Sequence, residues 1–169
     1  MKSRNVLVWL LFLIGIICRA LPHPPNVTPV TGIALFAGSQ WPAPLALSVP
    51  LLIMIATDLL FYGFHKTVFF TWTAMAVIAL LGRLLRKTIR PGMLLAVSLG
   101  SSLWFYLWTN FGHWLMVGDY PQTFPGLIAC YVAGIPFFRN SLLGDLVYTA
   151  AFFGIYAAAL RPERVAEKS

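Results

Sequence analysis

The sequence predicts an all-α membrane protein, a bundle of six transmembrane helices in a single domain over residues 1–160 with a polar tail at 161–169. Three observations predict it. The first is composition: of 169 residues, 59% are hydrophobic and 10% charged, with a mean hydropathy of +0.80. Soluble domains carry about 25% charged residues, and a core of this size cannot hide so much apolar surface, so lipid must cover it. The second is segmentation, with apolar runs at about 5–21, 30–40, 45–63, 67–85, 91–116 and 140–160, separated by prolines, glycines and charges. The third is the placement of the basic residues. The net charge of +7 sits at segment ends, which is the pattern of topology signals and headgroup contacts rather than of a nucleic-acid face. The bilayer is the expected surrounding, and no nucleic-acid partner is expected.

Taken in order, Lys2 and Arg4 precede an apolar run at 6–18. Its length suits a signal-peptide core, but Cys18-Arg19-Ala20 places a charge where a small-x-small cleavage site would stand. With Arg19 snorkelling and two more residues added, the segment reads as a retained first helix. Residues 21–29 then cross Pro22, Pro24, Pro25 and Pro29. Each proline removes a backbone donor and pushes its predecessor out of the helical region, so this stretch cannot be helix. Irregular backbone beside a bilayer is tolerated only at an interface or over a polar interior, so it reads as the outer cover of a polar pocket.

Pro29 is well placed to open a short second helix at 30–40, and Trp41-Pro42-Ala43-Pro44 breaks it before the third at 45–63. Phe64-His65-Lys66 connects to the fourth at 67–85, and Pro91 opens the fifth, which runs to 116. Gly118-Asp119-Tyr120-Pro121 is a turn. The stretch 124–138 is apolar but contains Pro125, Gly134 and Pro136, and it reads as a broken outer segment, re-entrant or interfacial. The last helix is 140–160, stopped by Arg161-Pro162. With six spans and both ends cytoplasmic, nine lysines and arginines fall inside and three, Arg19, Lys66 and Arg139, outside, as the positive-inside rule requires. Small-residue ridges, Ala150, Gly154 and Ala158 on the last helix and Ala96 and Gly100 on the fifth, predict close helix packing there.

Polar side chains collect toward the outer ends of three spans. Asp58, Tyr62 and His65 recur at helical spacing on the third; Ser98, Ser102, Tyr106, Asn110 and His113 on the fifth; Ser141, Asp145 and Tyr148 on the last. Residues at such intervals share a helix face. Asp58 and Asp145 are the acids inside apolar segments. A carboxylate at membrane depth costs roughly 2.5–3.5 kcal/mol, so each must face a cavity or a partner; Arg19 is the nearest counter-charge. The expected ligand-binding set is therefore Arg19, His23, Asn26, Asp58, Tyr62, Trp104, Tyr106, Trp108, Asn110, His113 and Asp145. In it Trp104 and Trp108 stack on the ligand, Tyr106 and Asn110 hydrogen-bond it, and the proline-rich stretch gates it. The other reading of the same polar groups is a buried network that only fixes helix order.

His23, His65 and His113 all fall on the outer side and are the available metal ligands, though no HxxxH-type pair exists. Cys18 and Cys130 form no CxxC and read as small buried hydrophobes. No GxSxG or HExxH motif is present, so the residues point away from hydrolytic chemistry, and no cofactor is expected.

The stretches RALPHPPNVTPVTGIALFAG, TDLLFYGFHK, WTNFGHW and GLIACYVAGIPFFRNSLLGDL together resemble an uncharacterised family of small bacterial integral membrane proteins. That family is similar to the substrate-binding S components of energy-coupling-factor vitamin transporters. The resemblance covers residues 19–156. It implies an S-component-like fold in the bacterial inner membrane, taking a vitamin-like or metal-containing substrate from the outer face. It also implies uptake with a separate transmembrane coupling subunit and ATPases. One departure is visible: S components that dock on a shared coupling subunit show Ala-x-x-x-Ala on the first helix, and here that helix offers only Gly15 before Ala20.

The leading expectation is a membrane-embedded small-molecule binding or transport subunit. An accessory subunit of a larger membrane complex, with no ligand of its own, is the alternative. An intramembrane enzyme using Asp58, His65 and His113 is a second.

Overall fold

The computed structural model describes residues 2–86 and 89–159; the polar tail at 161–169 and Lys87 of the basic cluster lie outside the described residues. The described chain is all-helical, with six α-helices: α1 (Lys2–Ala20), α2 (Val30–Gln40), α3 (Ala43–Thr57), α4 (Val68–Leu81), α5 (Pro91–Met116) and α6 (Phe124–Ala159). A π-helical turn, Asp58–Tyr62, prolongs α3, and a 3-10 turn, Gly82–Leu85, prolongs α4.

Among the described residues, four helical stretches are long and apolar enough to cross a membrane: Ala43–Tyr62, Val68–Leu85, Pro91–Met116 and Phe124–Ala159. That makes this a membrane protein in contact with lipid. The expectation of six spans is not met in its simple form, because the apolar part of α1, Val6–Ala20, falls below spanning length and α2 is shorter still. Its eleven residues rise only about 16 Å against roughly 30 Å of hydrocarbon. Instead α2 is the centre of the bundle, packed against α3, α4 and α6. Ten of its eleven residues, all but Gln40, are buried, as expected of a helix that is apolar on every side. Pro29 starts it, and Trp41, extended before Pro42, ends it. Ile33 and Leu35 of α2, with Ile53 of α3 and Ile78 of α4, make the fully buried core.

Glycines set how closely α2 is held. A Cβ on Gly38 would strike the Ala79 carbonyl oxygen of α4, and one on Gly82 would strike the Leu35 carbonyl oxygen, so the two backbones touch directly. On the other flank, Gly15 of α1 lies against the Ile53 side chain of α3. The small residue that the apolar run 6–20 offers before Ala20 is thus already used inside the bundle.

The largest correction concerns 124–138. It is not a separate re-entrant or interfacial segment but the first half of α6, one continuous helix of 36 residues. Pro125 lies in its first turn, where a missing donor costs nothing, and the Thr123 hydroxyl caps that turn by accepting the Gly126 amide at 3.2 Å. Pro136 sits inside the helix, and Gly134 makes room for the Asn110 side chain of α5. At 1.5 Å per residue α6 is about 54 Å long, well beyond the hydrocarbon thickness.

The small-residue ridges on α5 and α6 also face the other way from expectation. Ala96, Gly100, Ala150, Gly154 and Ala158 are exposed, and nothing lies within 4 Å of a Cβ at Gly100 or Gly154. The buried stripe of α6 runs instead through Gly126, Cys130, Gly134, Ser141, Gly144, Asp145, Thr149 and Phe153, and that of α5 through Ser98, Ser101, Ser102 and Gly112. In lipid there is no hydrophobic force between helices, so small and polar residues mark the packed face.

Candidate functional site

A cavity of about 450 Å3 lies where the C-terminal end of α1, the stretch 21–29 and the end of α3 meet. Every helix contributes to its wall: Arg19 from α1, Thr31 from α2, Met54 from α3, Met75 and Thr71 from α4, Phe105 from α5, and Ser141 and Asp145 from α6. The π turn adds Asp58 and Tyr62, and His65 enters from the connection before α4. The proline-rich stretch supplies His23, Pro25, Asn26 and Thr28. That stretch turns at Asn26, which takes a positive φ of 65°, a conformation asparagine tolerates better than most. It rests on α6 at Gly144, where a Cβ would meet the Val27 Cα at 3.3 Å.

One wall is built around Arg19. Its Nη2 donates to Asp58 Oδ1 at 2.8 Å and its Nε to the Thr57 hydroxyl at 2.7 Å. The second oxygen of Asp58 accepts the Trp72 indole N–H at 2.8 Å, and the Tyr62 hydroxyl donates to the Arg19 carbonyl at 2.6 Å. The guanidinium also lies 5.0 Å over the Tyr62 ring. This network joins the ends of α1, α3 and α4, so Asp58, 1% exposed, is fully partnered. The π turn carries it: π geometry inside a helix recurs at functional sites because it re-aims side chains. Asp58, Tyr62 and His65 therefore reach one cavity, but not from one α-helical face. The helix stops at Gly63, whose φ of +76° suits glycine alone, and His65 lies beyond it.

The opposite wall is the α5–α6 seam. The Ser102 hydroxyl donates to Asp145 Oδ2 at 2.7 Å. One turn further along, Ser98 and Thr149 are buried with no side-chain hydrogen-bond partner.

A second cavity of about 340 Å3 adjoins the first and shares Asn26, Thr71 and Phe105 with it. Asn110, His113 and Cys130 line this second space, not the first. Three expected ligand contacts line neither. Trp104 and Trp108 stack on one another, centroids 5.4 Å apart, and Trp108 donates its N–H to the Thr73 hydroxyl at 2.8 Å. Tyr106 turns to α6, where its hydroxyl donates to the Tyr131 carbonyl and its ring packs on Phe138. Trp108 and Tyr106 are thus satisfied within the α4–α5–α6 packing, whereas the buried Trp104 indole N–H has no hydrogen-bond partner among the described residues. Tyr148, on the α6 stripe, stacks on Phe152 and does not line the cavity.

The histidines are divided: His23 and His65 line the first cavity and His113 the second. His113 instead pairs with Asp119 at 3.0 Å. Among the described residues no three of His, Cys, Asp and Glu stand together to hold a metal ion.

Sequence reasoning missed Thr28, Thr31, Met54, Thr71 and Met75 as wall residues, and Thr57 and Trp72 as partners of the Arg19–Asp58 pair. Threonine and methionine in apolar helices carry no spacing signal of their own. Thr57, adjacent to Asp58, and Thr28 and Thr31, flanking Pro29, were the readable hints.

No curated protein and no solved structure matches the chain. One family model does, described as a family of unknown function, DUF6580, and it spans residues 1–167; the chain belongs to that family.

Proposed function

We propose that this protein is a membrane-embedded binding or transport subunit that takes a small molecule into the cavity beneath residues 21–29. The observation that carries the reading is convergence: a cavity of about 450 Å3, walled by all six helices, holds two buried carboxylates together with Arg19. Pockets of roughly 300–1,000 Å3 with a few convergent polar groups in an apolar wall are the usual form of small-molecule sites. Ionisable groups at membrane depth mark substrate pathways by default, because their insertion is costly. The proline-rich stretch supports the role of a cover, as four cavity residues come from it.

The Arg19–Asp58 pair joins the C-terminal ends of α1 and α3, so the short α2 still returns the chain between them, and the basic-residue asymmetry then supports an outward-facing mouth in a bacterial inner membrane with both termini cytoplasmic. The resemblance to S components supports substrate capture for uptake. The buried position of Gly15 favours a protein that works alone or with another partner over one that docks by an exposed small-residue patch on α1.

The test is native mass spectrometry of the protein extracted from its own membranes in mild detergent. The expected result is a bound small mass in the wild type that is depleted at least tenfold in Thr31→Trp, which fills the cavity. An unliganded wild type that co-purifies stoichiometrically with other membrane subunits would overturn the reading in favour of an accessory role.

A further inference from the structure

Charges in the first cavity do not cancel. Two carboxylates, one guanidinium and the imidazoles of His23 and His65 line it. The guanidinium is committed, with Nη2 on Asp58 and Nε on Thr57, and the imidazoles are engaged with the Pro24 carbonyl and the Thr67 hydroxyl rather than with Asp145. Asp145 is 3% exposed in the same wall and accepts a hydrogen bond from the Ser102 hydroxyl. Among the described residues the acid–base contacts are the Arg19–Asp58 ion pair and the His113–Asp119 contact, so no side-chain cation reaches Asp145. Neutral hydroxyls, those of Ser102 and Thr31, offset only part of the cost of an ionised carboxylate away from water. A carboxylate so placed either takes up a proton or is completed by a cation brought from outside.

The surroundings say which kind. A bare metal ion finds no cluster of ligating side chains here, and about 450 Å3 is many times the ~30 Å3 that one water molecule occupies. Phe105, Met54 and Met75 present an aromatic face and two soft thioethers to the same space, surfaces that suit the apolar body of an organic cation. An anionic ligand would find Arg19 already paired and Asp145 repelling it.

We propose that the molecule bound in this cavity carries a protonated amine and that Asp145 is the seat of its ammonium group. Phe105 and the methionines then hold the organic body. The proposal rests on reading the cavity as a binding site and names the chemical class that site takes.

The experiment compares three probes of similar shape, 2-phenylethylammonium, 2-phenylethanol and phenylacetate, by thermal unfolding of the purified full-length protein in detergent. The ammonium probe alone is expected to raise the Tm in a saturable manner. Its apparent affinity should fall at least tenfold in Asp145→Asn and remain unchanged in Asp119→Asn, a surface control. Should Asp145→Asn not fold, Phe105→Leu must weaken the ammonium probe severalfold for the proposal to stand. It is overturned if the ammonium probe gives no shift, if the three probes act alike, or if its effect survives Asp145→Asn. A co-purified ligand without a basic nitrogen would also overturn it while leaving the cavity's binding role intact. A bound mass is a separate readout, so the failure of one reading does not look like the failure of the other.

Discussion

Arg19 and Asp58 are 2.8 Å apart in an ion pair whose acid side chain is 2% exposed and whose arginine side chain is 14% exposed. The pair ties the end of α1 to the π turn after α3, and α1 otherwise touches little beyond α3 and α2. Breaking a buried pair by removing one partner strands the other charge, at about 3–5 kcal/mol. Asp58→Leu and Arg19→Leu are each expected to destabilise the protein on that scale. The double variant should be less damaging than the sum of the two, because no charge is stranded. Thermal or denaturant unfolding of the four proteins in one detergent checks this double-mutant cycle.

Gly134 exists for Asn110. A Cβ at 134 would strike the Asn110 side chain, whose amide donates to the Tyr106 carbonyl at 2.8 Å. Gly134→Ala is expected to cost about 1–3 kcal/mol by overpacking. Asn110→Ala placed on top of it should recover most of that loss. Absence of recovery in the unfolding midpoint would show that the two helices do not meet there.

Gly38 and Gly82 differ, because the atoms they face are backbone carbonyls of the neighbouring element. No side chain can be trimmed to make room. Gly38→Ala and Gly82→Ala are each expected to cost about 3 kcal/mol or more, or to abolish the folded monodisperse protein in size-exclusion chromatography. No single second-site truncation on the facing element should rescue either.

Continuity of α6 is checked by hydrogen exchange. Amides at 128–135 are expected to exchange slowly, at a rate close to that of amides 145–155. Thr123→Ala removes the hydroxyl that accepts the Gly126 amide and should raise exchange in the first turn, at a cost of about 1 kcal/mol. Fast exchange throughout 124–138 in the wild type would restore a broken segment.

The helical membrane class was legible from composition and from prolines, since both act locally: Pro29, Pro42 and Pro91 each stand at the start of a helix. The meeting of Asp58 with Arg19 was also legible, because a charge at membrane depth has few alternatives. The central burial of α2 was not, for an apolar run reads the same whether lipid or protein surrounds it. Pro125 and Pro136 read as breaks because their neighbours give no apolar periodicity; the packed face of α6 is glycine, serine, threonine and aspartate. Trp104 and Trp108 were misassigned for a related reason. Aromatic residues at helical spacing look alike whether they stack on a ligand or on each other, and only the fold places Thr73 beside the Trp108 indole.

The most direct measurement of the central claim, a polar cavity open to the outside beneath residues 21–29, is thiol accessibility. In a background with Cys18→Ala and Cys130→Ala, Ser141→Cys, on the cavity wall, is expected to react with a charged, membrane-impermeant methanethiosulfonate added outside sealed cells. Ser98→Cys, 1% exposed in the helix seam, should remain unlabelled under the same conditions. No labelling of Ser141→Cys from either side of the membrane, or labelling of both positions at equal rates, would contradict the account.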